Sequence, residues 1–150
     1  MSAMGWLSGL FGSSAATDSN SIPLAPAEQK RVDRLLADHP EAAGIPDYLR
    51  GLTALGVAQQ GAWLAESGNN PAGAIAAVSK AWVLCPLPIY LHDLSRYLAL
   101  SGDVTQSRAV LGEFLRAQEA WQAGPHDAVL LAGRDVARAV ADARQRLQAD

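Results

Sequence analysis

Two helix-length stretches, Val57 to Gly68 (VAQQGAWLAESG) and Leu91 to Gly102 (LHDLSRYLALSG), end in glycines 34 residues apart and match in their placing of small and large side chains. In register, Gly61 falls on Ser95, Leu64 on Leu98, Ser67 on Ser101 and Gly68 on Gly102. A segment recurring at a fixed period folds as a unit that buries a face against its neighbouring copy, so this pairing narrows the fold to stacked hairpins. After each glycine comes a polar turn and a second apolar-periodic segment. Asp103 with Gln106 three residues on reads as a helix N-cap and its partner, and Asn70-Pro71 reads as a cap with proline at the first helical position. The unit is helix, turn, helix.

A small residue seven positions before the glycine and a large apolar one four before it resembles the first helix of a tetratricopeptide repeat, whose period is also of this length. In the second helices, Ala74, Val78, Ala81 and Pro86 follow that family's small, large, small and terminal-proline spacing with one extra residue in the turn after Gly68. Ser107, Leu111 and Phe114 follow it without the extra residue. The chain departs from the pattern at Phe114, bulky where the family has a small residue, at Glu119 in place of the terminal proline, and at Gln60 in place of leucine. The resemblance covers residues 54 to 121. It implies an all-α fold of antiparallel helical hairpins, stacked as a short tetratricopeptide-like repeat with flanking helices at both ends.

Length and composition agree. A chain of 150 residues is normally one domain with a real core. Alanine-rich stretches without β-branched runs or sustained alternation argue against sheets. The twelve basic and fifteen acidic side chains give a formal net charge of −3, and Lys30 and Lys80 are the only lysines, so no broad basic surface offers itself to nucleic acid. The single cysteine, Cys85, lies between Leu84 and Pro86 and reads as a buried structural thiol, with no intrachain disulfide and no cysteine cluster for zinc.

Residues 1–25 divide into an apolar head and a small, polar linker, followed by a helical domain over 26–150. Pro26 to Asp38 reads as an amphipathic helix ended by His39-Pro40, and Pro46 to Ser67 as a long second helix whose Gly51, Gly56 and Gly61 permit close helix approach or a break near Gly56. Gly124-Pro125 marks a boundary. From about His126 to Gln148 one last helix is expected, with Val129, Val136, Val140 and Leu147 along one face and Arg138, Asp142 and Arg146 spaced for charge pairs, capping the exposed end of the stack. Trp63 and Trp82 read as core; Trp121 sits at a helix end, as a cap on the core or a contact.

No motif for catalysis emerges. The three histidines share no metal-ligand spacing, and there is no HExxH, phosphate loop or GxSxG elbow. The neighbours His92-Asp93 and His126-Asp127 point about 100° apart on a helix, which disfavours a dyad. The chain is accordingly expected to be no enzyme, with no metal and no cofactor.

In tetratricopeptide domains the first helices line a concave groove that receives an extended peptide or a partner helix. The resemblance places Leu55, Ala58, Ala62 and Ala65 of the first unit and Ile89, His92, Arg96 and Ala99 of the second in such a groove. His92 and Arg96 would be its polar anchor, suited to an apolar segment that presents a carboxylate. The lysine and asparagine clamp with which the family holds acidic C-terminal tails is not present.

A second docking element is the head, where Met4, Trp6, Leu7, Leu10 and Phe11 form an apolar face if helical. It has no Lys or Arg, makes a poor secretory signal, and is too short to span a bilayer. The expected function is a cytoplasmic protein-protein interaction module acting as adaptor, assembly factor or export chaperone, with self-association through the end helices. The alternative is a peripheral scaffold component that touches the membrane surface weakly through residues 1–12.

Overall fold

Proline and short polar side chains decide where the helices of this protein begin, as seen in a computed structural model that describes residues 22–149. Proline stands in the first turn of α1 (Pro26–Asp38), α2 (Pro46–Glu66) and α3 (Pro71–Leu84), where its missing N–H has no helical partner to lose. Then follow α4 (Ile89–Leu100), α5 (Val104–Ala120), the single turn α6 (Asp127–Leu130) and α7 (Val136–Gln148), with a 3-10 turn over Pro40–Gly44 between α1 and α2. Asn70, Asp103 and Asp135 cap α3, α5 and α7, accepting from the N–H groups of Gly73 at 2.9 Å, Gln106 at 3.0 Å and Arg138 at 3.0 Å. Among the described residues there is no strand, so the fold is all-α.

Consecutive helices from α1 to α5 pack on one another, joined by short connections. α2 lies at the centre of this arrangement and is continuous through Gly56. A Cβ on Gly56 would stand 2.6 Å from Val32 Cγ2 and 2.9 Å from Val32 N, so the glycine lets α1 lie directly on α2. Gly61 does the same for α3, where a Cβ would meet Ala77 Cβ at 3.1 Å and Ala74 O at 3.3 Å. Gln60 reaches α1, accepting from Arg31 Nε at 2.8 Å. The Glu28 carboxylate is buried; it accepts from the N–H of Ala25 at 2.7 Å and from Lys80 Nζ at 2.6 Å, fastening the start of α1 to α3. Tyr90, Leu91, Leu94 and Tyr97 of α4 join Leu111 and Phe114 of α5 in the core.

Two expectations are corrected. The C-terminal segment is not one helix. Ala132 at φ 51° and Gly133 at φ 75° turn the chain into the left-handed region, and Asp135 then caps a new helix. Trp63 is not core; it is 47% exposed, and its Cζ3 comes within 3.2 Å of where a Gly68 Cβ would be, so the ring covers the turn after α2. The left-handed residue of that turn is Asn69, at φ 50°.

α7 packs on α5 and α4, burying Ala139 and Ala143. Arg108 of α5 donates to the carbonyls of Arg146 and Leu147, each at 3.0 Å, and so closes the C-terminal end of α7, where cations are favoured. Trp82 and Trp121 are half-buried against the core. Met4, Trp6, Leu7, Leu10 and Phe11 lie outside the described residues. Among the described residues no helix is long and apolar enough to cross a membrane.

Candidate functional site

The face of α2 that carries Leu55, Ala58, Ala62 and Glu66 follows the helical period, and so does the face of α4 that carries Ile89, Asp93 and Arg96. These two faces border a cavity of about 260 Å³, closed along one side by Leu130, Leu131, Ala132 and Arg134. Small side chains on α2 keep the space open; Tyr90 and Tyr97 of α4 form part of its wall.

Of the residues assigned to a groove from sequence, Leu55, Ala58, Ala62, Ile89 and Arg96 line this cavity. Ala65 and Ala99 are half-buried and are not among its lining residues. His92 faces elsewhere. Its Nε2 stands 2.8 Å from Asp142 Oδ2 of α7 and its ring tilts against Phe114 at 5.4 Å, which leaves it 7% exposed between α4, α5 and α7. His92 and Arg96 therefore make no joint anchor: Arg96 stays at the rim, 3.7 Å from Glu66 and over the Tyr97 ring at 5.6 Å.

The charge that lies deep in the groove is Asp93, 4% exposed. Arg134 grips it with both arms of its guanidinium, NH1 to Oδ2 at 3.0 Å and NH2 to Oδ1 at 2.5 Å, the bidentate geometry that makes such pairs strong. Burial pulls the Arg134 pKa down, and the hydrogen bonds and charge of Asp93 more than offset this, so it ends above its ordinary value. Nearby, the hydroxyl of Tyr90 is buried with no hydrogen-bond partner among the described residues, and burial pushes its pKa far up.

Residues 126–134 are attached to the same face at further points. The His126 ring stacks on Tyr48 of α2, with centroids 4.0 Å apart and planes 5° apart, and the Tyr48 hydroxyl stands 3.2 Å from His39 Nδ1. Leu130 fills the space over Gly51, where a Cβ would stand 2.6 Å from its Cδ1. His126, Leu130 and Arg134, spaced by four, thus each touch the α2–α4 face. None of these contacts is visible from motif spacing. The only sequence signals are Gly51, a gap on the α2 face that carries Tyr48, Leu55 and Ala58, and the Gly133-x-Asp135 pair that starts α7.

A second depression, of about 520 Å³, lies between α1 and α2 and is bordered by Ile22, Leu24, Val32, Leu36, Leu49 and Leu84. Its wall is mostly aliphatic, with Gln29, Arg50 and Thr53 also on it, whereas the α2–α4 groove combines apolar surface with a buried ion pair. Cys85 sits at the end of α3, half-buried, and burial pushes its thiol up to about 11, which keeps it protonated and unreactive at neutral pH. Among the described residues no cluster of His, Cys, Asp and Glu is arranged to hold a metal ion. Compared with known proteins, the chain matches no family model, no curated protein and no solved structure.

Proposed function

We propose that this chain is a non-catalytic protein-protein interaction module, of the adaptor, assembly-factor or export-chaperone kind, that holds a peptide or helix of its partner in the groove between α2 and α4. The observation that carries this reading is the groove itself. Ala58 and Ala62 let a backbone approach, while Asp93 and Arg96 offer polar anchors along one wall.

A tetratricopeptide-like pair of hairpins, α2–α3 and α4–α5, is the architecture we assign to it. Support comes from equivalent contacts: Gly61 approaches Ala74 as Ser95 approaches Ser107, whose hydroxyl donates to the Ser95 carbonyl at 2.7 Å. The four residues stand at matching positions of the two units once the extra turn residue is counted. A non-catalytic role fits the groove's chemistry, in which Asp93 pairs with Arg134 and Glu66 with Arg96, and no nucleophile meets a base.

The test is a random-peptide display selection against the wild-type chain, with winners counter-screened on Ala62→Trp, which fills the groove. Peptides that bind wild type and lose at least about tenfold in affinity on Ala62→Trp, in a protein that still melts cooperatively, support the reading. Winners indifferent to Ala62→Trp, or no winners, would sink it.

A further inference from the structure

We infer that residues 126–134 are a built-in ligand of the α2–α4 groove, and that the external partner is a segment bearing a cation beside apolar residues, which replaces Arg134 on Asp93. This rests on the groove being a peptide-holding site, and it reverses the sign of the ligand that the rim residue Arg96 alone would suggest.

Asp93 decides the sign. It is the groove's most deeply buried charge, and a carboxylate in that setting is held only with a matched cation. That cation comes from a residue 41 positions away, on a turn held by its own left-handed backbone at Ala132 and Gly133. Arg134 is itself more than a third exposed at its side chain, while Asp93 is sealed beneath it. The pair therefore opens from the Arg134 side, and any cation that replaces it inherits two charge-assisted hydrogen bonds.

The resident segment also shows what accompanies the cation. Leu130 sits over Gly51 four residues before Arg134, and Leu131 and Ala132 border the same cavity. An incoming segment with aliphatic residues a helical turn ahead of an arginine would meet the same surfaces. Since wild-type protein must first release its own segment, its affinity for such a ligand is reduced by the fraction of molecules in which the groove is open.

The experiment uses the full chain and two fluorescein-labelled nine-residue peptides, one with the sequence of residues 126–134 (HDAVLLAGR) and one ending in glutamate instead of arginine. Fluorescence anisotropy measures their affinity for wild type, Arg134→Ala, Gly133→Val, and Arg134→Ala combined with Asp93→Asn, with circular dichroism melts on each. Arg134→Ala frees Asp93, and Gly133→Val strains the turn at φ 75° while keeping Arg134.

Expected is at least about tenfold tighter binding of the arginine peptide by either loosened variant than by wild type, abolished when Asp93→Asn is added. If Arg134→Ala does not fold, Gly133→Val decides alone. No gain in a folded variant, or a gain that persists with Asp93→Asn, overturns the inference. Equal or better binding of the glutamate peptide overturns it too, while leaving the groove's role as a peptide site standing.

Discussion

The hairpins α2–α3 and α4–α5 solve one packing problem with different chemistry. In the first, the helices come together because Gly61 has no side chain to separate it from Ala74 and Ala77. In the second, the corresponding Ser95 is fully buried and a hydroxyl makes the approach: Ser107 Oγ donates to Ser95 O at 2.7 Å, while Ser95 Oγ turns back on its own helix to His92 O at 2.7 Å. Their turns differ by one residue and still end alike. The N–H of the N-cap Asn70 donates to Leu64 O at 2.9 Å, and that of the N-cap Asp103 to Leu98 O at 2.9 Å, so the extra residue of the first turn is absorbed at Asn69 without disturbing the helices. In both pairs the helices approach closely, in the first through the absence of a side chain and in the second through a hydrogen bond.

The largest expected effect comes from removing that distance in the first hairpin. Gly61→Leu drives a side chain into the backbone of α3 at Ala74 and should cost about 3 kcal/mol, the upper end of overpacking penalties. For a chain of this size that is a fall of roughly 10 °C in Tm, measured by circular dichroism. An unchanged Tm would mean that the two helices do not approach closely at Gly61, and the likeness of the hairpins would be lost. In the second hairpin the corresponding break is milder. Ser107→Ala deletes the buried hydrogen bond to Ser95 O and the longer one that Ser107 Oγ accepts from Arg146 at 3.4 Å, without introducing bulk, and a loss of about 1 kcal/mol in urea unfolding is expected. A loss as large as that of Gly61→Leu would show that the hydroxyl fixes the helix separation by itself.

Helix starts were legible because their chemistry is local. Proline at the first turn and an Asn or Asp whose side chain reaches three residues ahead act whatever the rest of the chain does, and α1, α2, α3 and α5 begin where such residues stand. The break in the C-terminal segment was harder to see because Val129, Val136 and Val140 keep a helical apolar spacing across it, while Ala132, left-handed at φ 51°, carries no turn signature of its own. On α2, Leu55, Ala58 and Ala62 line the cavity and Ala65 does not; on α4, Ile89 and Arg96 line it, and between them the lining residue is Asp93, one residue and about 100° from His92. Asp93 could not have been chosen from its surroundings in sequence, since its partner Arg134 is supplied by the turn after α6, from the far end of the chain. Gln60, which stands where the tetratricopeptide pattern has leucine, accepts from Arg31 of α1.

The caps sharpen the comparison further. Asn70→Ala and Asp103→Ala each remove one side-chain acceptor from a first-turn N–H, at 2.9 Å and 3.0 Å respectively, and each should cost about 1 kcal/mol. The sites sit in separate hairpins with no shared partner, so the double variant should lose the sum to within about 0.5 kcal/mol. A marked excess over the sum would show that the hairpins fold as one coupled unit in which each cap supports the other.

The smallest effect separates the two turns. Asn69→Gly should shift stability by only a few tenths of a kcal/mol, because asparagine already tolerates the left-handed region at φ 50° and glycine, though relieved of its Cβ, loses more freedom on folding. Gly102→Asn meets no steric neighbour, since nothing lies within 4 Å of a Cβ there, but φ 94° is well beyond the ordinary left-handed minimum. Its cost should therefore exceed that of Asn69→Gly, at up to about 1 kcal/mol, and arise from the backbone alone. Equal small effects at both sites would mean that the Gly102 turn relaxes toward the geometry of Asn69 when a side chain is added. The turns would then differ in length but not in conformational demand, and the single extra residue of the first hairpin would be the whole of the difference between them.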